Sequence, residues 1–170
     1  NAGINWKKVL ELIPHHFMAR YELGGLLSAS ALTAPSGEKY LKEATDLRPY
    51  IPEVWVELGL NLGRQKRYED AIEAFQRATE LNPKLLIAHV NWAVALNSHE
   101  KPDDAVARLE KALTINTNDV SVHLHLARFL VPGKNWDRIS HHLKEVLRLD
   151  PTHVEATDAL SKVETLINNK

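Results

Sequence analysis

A period of 34 residues recurs along this chain of 170 residues, and it appears in several residue classes at once. Prolines and one threonine keep the period at Pro49, Pro83, Thr117 and Pro151. Small and aliphatic residues keep it at Ala44, Ala78, Ala112 and Val146. A period of this length indicates units that cannot bury their own apolar faces and therefore stack on their neighbours. Because a stacked array presents a long surface, we expect this chain to bind another molecule rather than to transform one.

The composition is that of an ordinary soluble protein, with 44% hydrophobic and 25% charged residues. The net charge of −1 argues against nucleic acid as a partner, because no excess of Lys and Arg is available to displace counterions. The chain has no cysteine, which excludes disulfides and thiolate chemistry but leaves the compartment unknown, with the cytoplasm favoured. No apolar run approaches the ~20 residues of a membrane span, so we expect no membrane insertion.

The clearest unit spans residues 52–85 and is predicted to form two helices. Its first half carries apolar and small residues at helical spacing, at Trp55, Leu58, Gly59 and Leu62. Its second half does the same at Ala71, Ile72, Phe75, Ala78 and Leu81, before Pro83 ends the helix. Lys66 and Arg67 leave room only for a tight turn, so the two helices are predicted to be antiparallel. Small residues such as Gly59 let the helix backbones approach closely.

This pattern resembles the tetratricopeptide repeat, whose signature is W-x2-L-G-x2-Y, then A-x3-F, then P. The matching residues here are Trp55, Leu58, Gly59, Ala71, Phe75 and Pro83, and only the tyrosine is replaced, by Leu62. The resemblance implies an all-α, right-handed superhelical solenoid of antiparallel helix pairs, with about ten helices. It implies one domain over residues 1–170, divided into the second helix of a truncated repeat (4–14), four repeats (17–51, 52–85, 86–119 and 120–153) and a capping helix (154–168).

The first helix has no preceding partner in this sequence, although Trp6, Val9, Leu12 and Pro14 reproduce the end of a second helix. We therefore expect the native protein to continue upstream of Asn1. The alternative is a natural N-terminal cap, but Ile4 and Trp6 would leave more apolar surface than such a cap should. Self-association through this unpaired helix is a further hypothesis.

The family resemblance also implies that the first helix of each unit lines a concave groove. Candidate groove residues for a peptide or partner protein are Glu57, Leu60, Asn91, Val94, Leu124, His125 and Arg128. The competing interpretation, in which Asn91 and His125 are merely solvated, stays open. The carboxylate clamp of chaperone-binding members is rejected, because of its positions only Asn91 agrees and the cations are missing. The asparagine ladder of the arrays attached to a sugar transferase is also absent, since Glu57 and His125 interrupt it.

The sequence offers no convincing reactive centre. The histidine pairs at positions 15–16, 123/125 and 141–142 are adjacent or two residues apart. On a helix, the two members of such a pair point in different directions, so none of the pairs can chelate a metal ion. His89 and His123 share the 34-residue ladder of Trp55, which predicts packing between helices. We predict no catalytic residue, metal or cofactor, and a non-catalytic scaffold that binds its partner in the groove. The alternatives are the targeting module of a larger enzyme and a self-assembling scaffold.

Overall fold

The computed structural model describes residues 2–168, with side chains from Asn5 onward. Across these residues the chain forms ten α-helices and no strand. Their bounds are α1 Ala2–Leu12, α2 Phe17–Ser28, α3 Ala34–Leu47, α4 Pro52–Arg64, α5 Tyr68–Leu81, α6 Leu86–Ser98, α7 Pro102–Ile115, α8 Val120–Phe129, α9 Trp136–Leu149 and α10 Val154–Asn168. None of these helices has both the length and the apolar character needed to cross a membrane. The chain divides into two compact units, unit 1 up to His99 and unit 2 from Glu100 onward.

In unit 1, α2 packs on α3 and α4 packs on α5, and each pair is joined by a short connection. The first helices of successive pairs are also neighbours, since α2 contacts α4 and α4 contacts α6. The core between them is formed by residues that the periodic pattern placed inside, with Leu41, Leu58, Phe75 and Ala78 all 5% exposed or less. The unit is therefore held together by apolar burial between helices rather than within one helix.

Glycines allow the closest contacts between helices in unit 1. A Cβ atom built on Gly59 of α4 would lie only 2.6 Å from a ring carbon of Phe75 on α5. A Cβ on Gly24 of α2 would lie 2.7 Å from the Cγ atom of Leu41 on α3. Real side chains do not approach so closely, so each helix pair depends on the missing methyl group. This agrees with the role that the sequence predicted for Gly59.

A buried polar network joins α2, α3 and α4. The Asn61 side chain is fully buried, and its Nδ2 atom donates to Ser28 Oγ at 2.6 Å and to the Ala34 carbonyl at 2.8 Å. Its Oδ1 atom accepts from Gln65 Nε2 at 2.7 Å, and Gln65 in turn contacts Glu38. Because both polar atoms of the buried Asn61 amide make hydrogen bonds, the network fixes how the three helices meet.

A second contact repeats with the 34-residue period. The ring nitrogens of Trp55, His89 and His123 each lie 2.9–3.0 Å from the backbone carbonyl six residues earlier, at Pro49, Pro83 and Thr117. A carbonyl only accepts, so each ring N–H must donate. His89 and His123 are buried, as packing between helices requires, and they also satisfy the carbonyls that follow the preceding helices.

Three connections between consecutive helices use a left-handed residue that is not glycine. Lys66, Glu100 and Lys134 have φ angles of 61°, 60° and 52°. These three residues are also 34 positions apart. Pro132 and Gly133 do fall in the turn between α8 and α9, but Lys134 and not Gly133 adopts the left-handed conformation.

In unit 2, consecutive helices from α7 to α10 pack on one another. The core residues Leu109, Leu126, Leu143 and Val146 are no more than 3% exposed. The Asp119 side chain caps α8 by accepting from the Val122 amide at 3.0 Å. Helices α8 and α9 therefore form a packed pair like those of unit 1.

Candidate functional site

The candidate groove residues lie on α4, α6 and α8, each of which is the first helix of a predicted repeat. Unit 1 carries two of them on α4 and two on α6, and in each helix the two are three residues apart and so face the same side. Unit 2 carries the other three on α8. Arg128 is exposed, and the remaining six are half-buried: Glu57, Leu60, Asn91, Val94, Leu124 and His125. The side chains thus belong neither wholly to the core nor wholly to solvent.

In unit 1, Glu57 lies against the neighbouring first helix. Its Oε2 atom is 3.7 Å from the position that a Cβ atom on Gly25 of α2 would take. Burial, together with the charge of Glu22, raises the pKa of Glu57, although Arg64 opposes the change. Burial and the charges of Glu57, Glu22 and Glu53 likewise raise the pKa of Tyr21.

The charge effects among these side chains define the acidic first-helix face of unit 1, which is formed by Tyr21, Glu22, Glu53 and Glu57. Among residues 2–168, the ion pairs that the structure contains do not include its three carboxylates. The sequence analysis selected Glu57 but missed the residues on α2. A signal was available, because the equivalent of Glu57 in the upstream unit, which is one residue longer, is Glu22.

In unit 2, Leu124 and Arg128 line a pocket between α8, α9 and α10, which we call the α8–α10 pocket. Its volume is about 110 Å³, and its other lining residues are Ala127, Val131, Ile139, Leu143, Glu155, Ala159 and Val163. At its edge, Arg128 Nη2 donates to Glu155 Oε1 at 2.6 Å. That hydrogen bond holds the pKa of Glu155 below its ordinary value. The pocket is therefore apolar inside and carries one internally matched ion pair outside.

His125 does not line this pocket. Its ring lies against Phe129, with 5.5 Å between the ring centroids. Burial, and then the positive charge of Arg128, lowers the pKa of His125. The predicted set of three residues on α8 is thus split, with Leu124 and Arg128 at the pocket and His125 beside Phe129.

A different pair of histidines meets in the interior of unit 2. His123 Nδ1 on α8 is 3.0 Å from His142 Nδ1 on α9. Since His123 Nε2–H donates to the Thr117 carbonyl, the neutral His123 accepts at Nδ1 and His142 donates. Burial, and then His123, lowers the pKa of His142 to about 4. Within residues 2–168, no three His, Asp or Glu side chains converge to hold a metal ion.

The contact between Arg128 and Glu155 explains why the sequence missed part of the pocket. Positions 34 residues apart are equivalent in successive repeats. Arg128 and Glu155 are 27 residues apart, because a contact joins the end of one first helix to the start of the next. The same separation joins Asn61 to the Ala34 carbonyl in unit 1. A search at both spacings would have found Glu155.

Comparison with known proteins gives this geometry a family context. Residues 52–85 match the tetratricopeptide repeat family. PilF of Pseudomonas aeruginosa is 19% identical, with a TM-score of 0.78 over 98% of this chain and 81% of that one. YrrB, described as a TPR protein with an unusual peptide-binding site, is 18% identical, with a TM-score of 0.75 over 97% and 84%. The first TPR of Spaghetti, bound to an HSP90 peptide, is 20% identical, with a TM-score of 0.64 over 69% and 95%. No curated protein matches the chain significantly.

These findings confirm the class of protein that the sequence indicated. The fold is the all-α solenoid fold of tetratricopeptide arrays, built from helix pairs. Residues 52–85 match one such repeat. The division of the remaining residues into repeats, within a single domain, stays a prediction.

Proposed function

We propose that this chain is a non-catalytic interaction scaffold that binds a peptide or a segment of a partner protein on its first helices. Tetratricopeptide repeat proteins are in general interaction modules without catalytic activity. Two proteins of similar fold support a peptide as the partner, since YrrB has a peptide-binding site and the first TPR of Spaghetti holds an HSP90 peptide. Fold alone does not determine function, so the proposal depends on the site itself.

The observation that carries the proposal is the half-buried state of Glu57. Burial raises the pKa of its carboxyl group, and the nearest other side chains that affect it include a second carboxylate, Glu22. A carboxylate in such a position gains by accepting a hydrogen bond from a ligand. Asn91 supplies a second polar group on α6, while Leu60 and Val94 supply aliphatic surface. An extended peptide matches this mixture, with backbone N–H groups for the polar residues and apolar side chains for the aliphatic ones.

The experiment is a selection of random peptides displayed against the full chain, followed by measurement of affinity by fluorescence anisotropy. The test variant combines Glu57→Gln with Asn91→Ala. The control combines Glu73→Gln with Gln76→Ala, two exposed positions on α5. We expect the selected peptides to lose about tenfold or more in affinity for the test variant and nothing for the control. Equal affinity for both variants, with helical content unchanged, would contradict the proposal.

Self-association is a second candidate, because exposed apolar side chains lie at the end of α1. Leu12 is 83% exposed and Ile13 is 53% exposed. Sedimentation velocity over a range of protein concentrations tests this directly, and a constant monomer sedimentation coefficient would exclude it. A role as the targeting module of a larger enzyme also stays a prediction, since it requires residues outside this sequence.

A further inference from the structure

The α8–α10 pocket is built to exclude water from its interior. Its floor consists of Ile139 and Leu143 on α9 and Val163 on α10, which are 2%, 3% and 7% exposed. Leu124 and Ala159 form its walls from the two neighbouring first helices. An apolar recess of this kind does not offer a water molecule the two to four polar partners that it needs. Filling the recess with an apolar group therefore removes unfavourable hydration.

The size of the pocket selects the group that fits. Its volume of about 110 Å³ is several times the space of one water molecule in the liquid. It is smaller than the engineered cavity of about 150 Å³ that is known to hold benzene, which favours an aliphatic side chain over an aromatic ring. A branched aliphatic side chain, such as that of leucine, is therefore the group that we expect there.

The charges at the edge exclude a charged ligand group from the interior. Arg128 and Glu155 are the only charged side chains that line the pocket, and they neutralise each other through the 2.6 Å hydrogen bond. A lysine or carboxylate tip placed among Ile139, Leu143 and Val163 would lose its hydration without gaining a partner. The ion pair is more than half exposed on both sides, with side-chain exposures of 53% and 59%, so it does not cover the pocket.

We propose that the α8–α10 pocket anchors one leucine-sized aliphatic side chain of a partner peptide. This inference rests on the proposed function and states the partner's chemistry in unit 2: the bound segment presents an uncharged, branched aliphatic residue between α8 and α10. The polar groups of Arg128 and Glu155 then lie beside the peptide backbone, where amide groups need hydrogen-bond partners.

The probe for this proposal is N-acetyl-leucine-N-methylamide, which presents the side chain and two amide groups without the rest of a peptide. The full chain, with labelled Leu and Val methyl groups, is titrated and followed by methyl NMR. We expect saturable shifts at Leu124, Leu143 and Val163 with a dissociation constant of about 1–10 mM, the range of a ligand with so few atoms. The lysine analogue should leave these methyl signals unchanged, and the phenylalanine analogue should bind more weakly than the leucine analogue.

A pair of alanine variants supplies the matched test. Ala159→Leu places an aliphatic side chain in the pocket from the protein itself, and the shifts should disappear. Ala107→Leu makes the same change on an exposed face of α7, outside the pocket, and the shifts should remain. Methyl and amide spectra of each variant establish that it is folded. For peptides selected by display and anchored by leucine, Ala159→Leu should reduce affinity about 10- to 100-fold.

The outcomes separate this inference from the proposed function. Leucine-specific shifts that Ala159→Leu abolishes support the anchor. The absence of saturable shifts up to about 50 mM, roughly five times the upper end of the expected range, overturns it, as does an equal response to the lysine analogue. If display peptides bind through Glu57 and Asn91 while the pocket methyl groups do not respond, the anchor is wrong and the scaffold function stands.

Discussion

Helix α4 contains two glycines that make opposite predictions for the same substitution. A Cβ atom on Gly59 would lie 2.6 to 2.8 Å from three carbon atoms of the Phe75 ring, whereas a Cβ atom on Gly63 would have no neighbour within 4 Å. Phe75 is only 2% exposed, so its ring cannot move into solvent. Gly59→Ala and Gly63→Ala therefore compare one added methyl group with and without a clash, in one helix.

The magnitudes follow from two opposing effects. Alanine is favoured over glycine inside a helix by about 0.5–1 kcal/mol, because it loses less backbone entropy on folding. At Gly63 this effect acts alone, and we expect a gain of up to about 1 kcal/mol, less if the end of the helix frays. At Gly59 an overpacked contact costs about 1–3 kcal/mol, since three ring atoms must move within a filled core. The net loss at Gly59 is then up to about 2.5 kcal/mol, and the two variants differ by the overpacking cost of about 1–3 kcal/mol.

Urea denaturation followed by circular dichroism measures this difference, with the midpoints compared because two compact units need not unfold in one step. In a chain of this size, the Gly59 variant should melt up to roughly 10 °C below the parent protein, and below the Gly63 variant. The double variant Gly59→Ala with Phe75→Leu should recover part of the loss, because the smaller side chain releases the clash. If Gly59→Ala is as stable as Gly63→Ala, the close packing of α4 on α5 is wrong.

Two further predictions concern buried polar groups. Asn61→Leu should lower the free energy of unfolding by about 2–4 kcal/mol in urea titrations, because it removes the donors to Ser28 and the Ala34 carbonyl; a loss below about 0.5 kcal/mol would contradict the network. Burial and His123 lower the pKa of His142 to about 4 in the folded protein. As the pH falls below about 6.5, the unfolded chain therefore takes up a proton at His142 while the folded protein does not. Between pH 7 and pH 4.5 the parent protein should therefore lose about 1–3 kcal/mol more than His142→Leu does, and equal losses in chemical denaturation would refute this.

Much of the fold could be predicted because the buried positions repeat. Leu58, Phe75 and Ala78 lie in the core where helical spacing placed them, and the close contact at Gly59 follows from its small size. The ladder of Trp55, His89 and His123 was also visible in the sequence as packing. Its hydrogen bonds were not, because a ring nitrogen meets the carbonyl six residues earlier only after the turn has taken its shape.

The candidate site was harder to predict, for a geometric reason. Of the seven candidate residues, Leu124 and Arg128 lie at one pocket, whereas the neighbouring His125 packs on Phe129. A period identifies equivalent positions, and equivalent positions on successive helices are not the ones that touch. The pair of His123 and His142 illustrates this, since the two histidines lie 19 residues apart and meet only because α8 packs on α9.

The two spacings therefore carry different information about a chain of this kind. The 34-residue spacing selects the side chains that hold each helix pair together, and these are mostly apolar or fully bonded. The 27-residue spacing joins residues of successive repeats, through the buried amide of Asn61, the hydrogen bond from Gln65 to Glu38 beside it, and the exposed ion pair of Arg128. The buried amide fixes the packing of helices, while the exposed ion pair leaves an apolar recess open beside it. We therefore expect a partner to bind beside the exposed ion pair and not at the buried amide, because a closed and satisfied network has nothing left to offer a partner.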